Sequence, residues 1–322
     1  MQKTTLYPLL LDPSLHVKVW GGRKLETVMH KTLPTSEPYG ESWEMHDSAK
    51  VANGALAGRT LGDLLPVYGA ELLGTMNDPK AGMPLLVKLL DATDWLSVQV
   101  HPDDAQAAQL EGEPRGKTEA WYVIAAEPKS RLVIGVRTDS SREEVAEAIR
   151  ANRLEDLLVY ANVEAGDVLF IPAGTIHALG PGILVYEIQQ SSDTTYRLYD
   201  WGRVGLDGKP RSLHIDKSLS VSRIGSLPSI HSSGGESAAA VDLIDSPYFR
   251  TTLHQHGDAK AALNTEGRVF HVLTCVEGEA KIAAGDYPVL TLETGRTVLI
   301  PAAVGRYTLT GKAKVLRSYQ PA

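Results

Sequence analysis

Along most of the chain, apolar and polar residues alternate over short runs broken by Gly, Pro and Asp turns. That pattern predicts an antiparallel barrel or sandwich. The run Trp95-Leu-Ser-Val-Gln-Val-His101 sets Ser97, Gln99 and His101 on one strand face and Leu96, Val98 and Val100 on the other. In Gly116-Lys-Thr-Glu-Ala-Trp-Tyr-Val123, Lys117 and Glu119 share a face, while Tyr122 and Ile124 pack on the opposite one. Ile183–Gln190 puts Glu187 and Gln189 on the face of Ile183 and Val185, which predicts a buried carboxylate at Glu187. Two regions depart from period two. Over about 54–80, Leu56, Leu61, Leu64, Leu65, Leu72 and Leu73 recur near helical spacing around Pro66, predicting short helices with a loop. At 141–158, Ser141-Arg-Glu-Glu144 forms a capping box, and Val145, Ala148, Ile149, Leu154, Leu157 and Leu158 continue the stripe of an amphipathic helix.

The Ser-, Gly- and Ala-rich stretch 226–240 has no periodicity and reads as a linker between a domain of residues 1–225 and a smaller β domain of 241–322. The two halves share a distant repeat. Gly166-Asp-Val-Leu-Phe-Ile-Pro172-Ala-Gly-Thr-Ile-His177 aligns with Gly295-Arg-Thr-Val-Leu-Ile-Pro301-Ala-Ala-Val-Gly-Arg306, setting His177 against Arg306. Glu119–Val123 aligns with Arg268–Val272, setting Glu119 against Arg268, and the helical insertion absorbs the difference in offset. Two related barrels, one with acid and imidazole and one with arginines, account for this.

The composition narrows the class. The 322 residues are 43% apolar and 22% charged, an ordinary globular profile. No apolar run approaches the roughly 18 residues of a membrane span, and the start lacks a signal core, so the expected location is the cytoplasm. A lone Cys275 in an apolar run predicts a buried, inert thiol and no disulfide. A net charge of -7 without a Lys/Arg block speaks against nucleic acid.

The polar strand faces need a chemical reason. A carboxylate entering an apolar strand must be paired or ligated, and Gln99 with His101 offers two donors on one rigid element. The spacing G-x5-P-x-G-x2-H of Gly166–His177 puts a tight turn and a histidine at a barrel mouth. Gln99, His101, Glu119 and His177 together would give a zinc ion two neutral nitrogens, a carboxylate and an amide oxygen, with room left for water or substrate oxygens. Arg197 follows Glu187 after a short turn and can reach the same cavity. Leu253-His254-Gln-His256 has the H-x-H spacing but no following Glu, and is expected on the surface.

The set Trp20-Gly-Gly22, Glu41-Ser-Trp-Glu44, Leu96-Ser-Val-Gln-Val-His-Pro-Asp-Asp104, Gly116-Lys-Thr-Glu119, Gly166–His177, Tyr186-Glu187-Ile188 and Tyr196-Arg-Leu-Tyr-Asp200 closely resembles the short bacterial form of the type I mannose-6-phosphate isomerase family. The resemblance spans about residues 5–225, and the remainder matches only as a degenerate second barrel. It implies a mainly β fold: a cupin-type double-stranded β-helix barrel with a helical insertion, followed by a degenerate cupin-like barrel. It also implies one Zn2+ per chain on Gln99, His101, Glu119 and His177, a catalytic arginine at Arg197, and cavity residues Lys88, Lys117 and Glu187. Substrate contacts are expected from Trp20, Glu44, Lys88 and Ser97, with two alternatives open. Trp20 lines the cavity or packs in a tight turn, and Glu44 and Lys88 wall the site or form structural ion pairs. The general cupin pattern has H-x-H where this chain has Gln99-Val-His101, a departure the isomerase family shares, and Asn where this chain has Pro181.

The implied activity is an intramolecular oxidoreduction, interconverting mannose 6-phosphate and fructose 6-phosphate through a cis-enediol(ate). Glu187 or a zinc-organised water shuttles the proton, Lys117 polarises a substrate oxygen, and Arg197 stabilises the enediolate or grips the phosphate. The partner is a sugar phosphate, with no nucleic acid and no membrane, and the chain is a monomer or weak homodimer. A non-catalytic sugar-phosphate-binding regulator is the alternative. A metal oxidoreductase or decarboxylase of the same fold would prefer a third histidine at Gln99.

Overall fold

The computed structural model describes residues 3–233, 238–255, 257 and 259–321. Seven antiparallel strands make one sheet, in the order Ile230–Ser232, Asp167–Ile171, Glu119–Ala126, Ile183–Gln190, Leu85–Ala92, Tyr39–Met45 and Ser14–Gly22. Two short hairpin-like pairs, Val98–Val100 with Tyr196–Tyr199 and Arg131–Val136 with Leu158–Asn162, are tied together by bridges from Gln99 to His177 and from Val133 to Ala178. Leu90, Trp121, Leu169, Ile183 and Val185 of the sheet bury against Leu96, Leu132 and Leu179 from that side, filling the first core.

A second sheet runs Ala240–Asp245, Arg250–His254, Ala313–Tyr319, His271–Ala283 and Thr297–Ile300. Arg306–Thr310 pairs with the long His271–Ala283 strand and carries Ala261–Asn264 on its other edge. Leu273, Cys275, Ile282, Val298, Ile300 and Tyr307 fill the core of this half. Strand alternation then supplies a third core between the halves. Leu184, Tyr186 and Ile188 point away from the first core and meet Phe249, Phe270, Val272, Leu299 and Leu316. Burying a side chain of this kind contributes about 1.5–3 kcal/mol, so the inter-sheet layer binds the halves firmly.

Three expectations change. Strands Leu9–Asp12 and Lys50–Val51 extend the second sheet through Thr297–Ile300, so the C-terminal sheet borrows its edge from the N-terminus. Within 226–240, Ile230–Ser232 is an edge strand on Asp167–Ile171, while 234–237 lie outside the described residues. The helix Leu61–Tyr68, capped by a reciprocal Thr60–Asp63 box, runs through Pro66, and the break falls at Gly69, whose φ is 48°. Leu61, Leu64, Leu65 and Tyr68 are buried along it, and that packing offsets the hydrogen bond a mid-helix proline removes. The second helix forms as predicted at Arg142–Arg150 behind the Ser141 cap, then passes through a 3-10 turn at Leu154–Leu157 into the Leu158 strand.

The register also moves the repeat. Glu119 pairs with Ile171, and His271 pairs with Ile300. Because Ile171 and Ile300 are repeat mates, the counterpart of Glu119 is His271 rather than Arg268. By the same logic Glu187, opposite Trp121, corresponds to Arg317, opposite Leu273. Among the described residues no helix is long and apolar enough to cross a membrane.

Candidate active site

Three chain segments converge because their backbones are tied at the turns. Gln99 and His177 exchange both backbone hydrogen bonds, at 3.0 and 2.9 Å, so their side chains stand directly opposite. Asp103 caps the helix Asp104–Glu111 through a reciprocal box with Gln106 and stops the His101 strand there. Gly116 then crosses that turn so closely that a Cβ would lie 2.3 Å from the Asp103 carbonyl carbon. Glycine is required for this approach, which lets Lys117 donate its N–H to Pro102 O at 2.9 Å and delivers Glu119 beside His101. Gly174, at φ 87°, turns the chain after Pro172 and donates to His101 O at 2.8 Å, which positions His177.

His101, Glu119 and His177 are buried at 1%, 0% and 0% exposure. Each imidazole uses Nδ1 on a backbone carbonyl, His101 on Thr194 and His177 on Thr175, both at 2.9 Å, and so presents Nε2 inward. His177 Nε2 lies 3.0 Å from Glu119 Oε1, His101 Nε2 lies 3.6 Å from Oε2, and the Gln99 amide lies 3.4 Å from His177 Nε2. Despite this proximity, His101 Nε2 and both Glu119 oxygens have no partner at hydrogen-bonding angles. Buried polar atoms are rarely left so. Ligands about 2.0–2.1 Å from a four-coordinate dication stand roughly 3.3 Å apart, which the three separations straddle. The Gln99 side chain can offer oxygen or nitrogen by turning its amide over. The residues therefore fit a divalent cation.

Electrostatics agree with that fit. Burial, then the Lys117 ammonium, hold His101 well below the usual imidazole range, so it is a neutral donor at pH 7. Burial alone would raise Glu119, but Lys117, 3.0 Å from Oε2, and the two imidazoles hold it well below the usual carboxylate range.

A cavity of about 290 Å³ opens above this cluster, reaching it past Gln99 and Lys117. Trp20, Lys88, Ser97, Glu187 and Arg197 also line it, so the structure brings together every expected residue except Glu44. Glu187 Oε2 accepts from Trp121 Nε1 at 2.8 Å, and Oε1 lies 3.4 Å from Lys88 Nζ. Burial and the nearby Glu119 push Glu187 upward, against Lys88 and Lys117. Lys88 is desolvated too, yet Glu187 and Glu41 outweigh that and keep it cationic. Arg197 and Arg211 stand at the rim, with Arg203 behind them on Asp94 as well as Asp200. Arg203 and Arg211 both bind Asp200, while among the described residues the Arg197 guanidinium donates only to Ser212 O at 2.9 Å and its Nε is buried without a partner.

Glu44 corrects one expectation. Its carboxylate is fully buried on Lys31 Nζ at 2.7 Å, Ser42 Oγ at 2.6 Å and Thr297 Oγ1 at 3.0 Å, which ties the first sheet to the second. Glu41 faces the cavity instead, on Lys18 Nζ at 2.9 Å, and Lys18 and Lys88 overcome its burial to hold it at about 2. Two residues three apart on a strand face opposite ways, so strand parity alone allowed only one of these acids into the cavity. Lys18, Asp193, Thr195 and Arg211 also line it and were not anticipated, since they come from loops and a neighbouring strand without a local pattern. His254, expected on the surface, is buried at 4% exposure, and His256 lies outside the described residues. Cys275 is buried, and burial pushes its thiol up to about 12, as befits an inert core residue.

Residues 9–130 match the family described as phosphomannose isomerase type I, catalytic domain, and residues 241–320 match the mannose-6-phosphate isomerase cupin domain. A mannose-6-phosphate isomerase of Streptococcus mutans is 36% identical over 97% of this chain and 98% of that protein. The chain belongs to the type I phosphomannose isomerase family. Another member, mannose-6-phosphate isomerase ManA of Bacillus subtilis, is 34% identical over 98% of this chain and 99% of its own length. The crystal structure of a mannose 6-phosphate isomerase from Bacillus subtilis superposes with a TM-score of 0.88 at 30% identity, covering 97% of this chain and 99% of the other. For this type I phosphomannose isomerase family member, the mainly β cupin architecture expected from the motifs is thus the architecture of its relatives.

Proposed function

We propose that this chain is a zinc-dependent aldose–ketose isomerase that interconverts mannose 6-phosphate and fructose 6-phosphate through a cis-enediolate. The observation that carries the proposal is the buried His101–Glu119–His177 cluster, with its ligand-type atoms turned toward one another and His101 Nε2 without a hydrogen bond, at the base of a cavity walled by acids, lysines and arginines. His101, Glu119, His177 and the Gln99 oxygen would hold one zinc ion per chain, supplying Lewis-acid stabilisation of negative charge on the substrate's O1 and O2.

The chain's own groups divide the remaining work. Glu187, raised by burial, takes the C2 proton of the aldose and returns it to C1, while the proton on O2 passes to O1. Trp121 holds this carboxylate in one orientation. Lys117 donates to a substrate oxygen, and Lys88 balances the charge of Glu187. Arg197 and Arg211 seat the phosphate, since their cluster carries surplus positive charge and Arg197 Nε has no partner among the described residues. A cytoplasmic location agrees with the single, buried thiol.

The test is a coupled assay for fructose 6-phosphate, run before chelation, after chelation and after zinc is restored. Turnover lost and regained with zinc supports the proposal. Chelator-insensitive turnover would keep the reaction and remove the metal from it. A folded, zinc-loaded protein without turnover would instead be a sugar-phosphate-binding regulator. Arg197→Ala is expected to retain zinc while losing roughly 10²–10³-fold in turnover.

A further inference from the structure

The C-terminal β half has a cavity of its own at the place that matches the one in the first half. It measures about 330 Å³ and is lined by His271, Arg317, Arg268, Asn264 and Tyr319, among others. Three of these stand at positions equivalent to active-site residues. His271 replaces Glu119 and Arg317 replaces Glu187 through the shared strand registers. Asn264 pairs with Arg306 as Gln99 pairs with His177. The two carboxylates of the first site have thus become an imidazole and a guanidinium, and the second ligand histidine has become an arginine. A cation would be repelled from such a place.

The charges in this cavity are unspent. Arg317 gives Nη2 to Thr252 Oγ1 at 3.1 Å and lies 5.2 Å from the Tyr319 ring centroid, but among the described residues its Nε is buried with no partner and no carboxylate pairs with it. Arg268 is exposed and has no side-chain hydrogen bond or ion pair among the described residues. Arg250 is already engaged by Asp245 at 2.5 Å, and Glu266 is the one carboxylate on the wall. His271 is buried and held through Nδ1 by Tyr307 at 2.8 Å, so it gives the cavity a fixed polar floor.

We propose that the cavity of the C-terminal β half is an anion site for a phosphate monoester of sugar-phosphate size, gripped by Arg317 and Arg268. Guanidinium forks match the oxygens of a phosphate group, and the cavity is close in volume to the 290 Å³ one of the first half. The site is distinct from the one that would turn substrate over, so its occupancy does not depend on catalysis.

Inorganic phosphate, titrated calorimetrically into the zinc-loaded full chain, tests this. Two phosphates per wild-type chain are expected. Arg268→Glu, at an exposed position, should weaken one of them by roughly tenfold or more, as should Arg317→Met, with isomerase turnover at saturating substrate retained in both. Arg197→Ala should remove the other phosphate and leave this one. A single phosphate per wild-type chain that Arg268→Glu leaves intact would overturn the proposal. So would two phosphates that both survive Arg268→Glu and Arg317→Met in folded protein.

Discussion

The two cavities of this chain sit at matching places in repeated halves and have opposite chemistry. In the first, Glu119 and Glu187 are buried among Lys88, Lys117 and two imidazoles, and His101, Glu119 and His177 turn their polar atoms toward a common point. In the second, His271 and Arg317 occupy those same strand positions, and the imidazole is satisfied by Tyr307. The backbone frame persists in both, since each is an antiparallel strand pair ending in Ile-Pro and a turn. Chemistry lies in side chains carried on that frame, and the frame tolerates replacement of one carboxylate by a neutral imidazole and of the other by a guanidinium.

Removing a carboxylate from the first cavity should have the largest effect. Glu119→Ala is expected to empty the metal position, read as metal per chain, and to lower turnover by roughly 10³-fold. The matched His271→Ala should leave both at wild-type levels. Stoichiometric metal in Glu119→Ala would break the comparison.

The next contrast separates the two acids of the Tyr39–Met45 strand. Glu44→Gln leaves Lys31 buried beside an uncharged partner, and breaking such a pair should cost about 3 kcal/mol of unfolding free energy in urea, with turnover retained. Glu41→Gln should do the reverse, altering turnover with a smaller loss of stability. A Glu44→Gln protein of full stability with an impaired KM would return Glu44 to the site.

The smallest effect is a pH dependence belonging to the second cavity alone. Burial, then Arg317 and His254, lower His271 from 6.5 to about 3. Below pH 6.5 the unfolded chain therefore binds a proton at this histidine that the folded chain refuses, and stability is lost as pH falls from that value toward about 3. From about pH 8 to pH 5 the loss is about 2 kcal/mol. It should be missing from the same urea titrations of His271→Gln. Equal slopes in both proteins would mean that His271 is not held neutral.

Much of the candidate site was legible without coordinates. Period-two alternation placed Gln99 with His101 and Lys117 with Glu119, and the glycine and proline spacing before His177 marked its turn. Those features are local, so they survive in one dimension. Of the two readings open for Glu44 the structural ion pair holds, and the sequence could not choose because the pairing with Lys31 and Thr297 depends on how a loop and a distant strand pack against it. Arg211 and Lys18 escaped notice because a loop and a distant strand bring them to the cavity. The repeat slipped by three residues at Arg268 for a related reason. In a diverged half, similarity of side chains is weak, while the hydrogen-bond register that pairs His271 with Ile300 is unambiguous.

By itself the sequence determined the strand faces, the capped helices and the family, because each depends on neighbours within a few residues or on a motif read in order. Only the tertiary structure decided which acid enters the cavity, which edge completes the second sheet and which residues of the two halves correspond. Those outcomes depend on backbone registers between segments hundreds of residues apart, such as Leu9–Asp12 beside Thr297–Ile300. There the choice between faces is made by burial and pairing across the fold, and no local pattern encodes it.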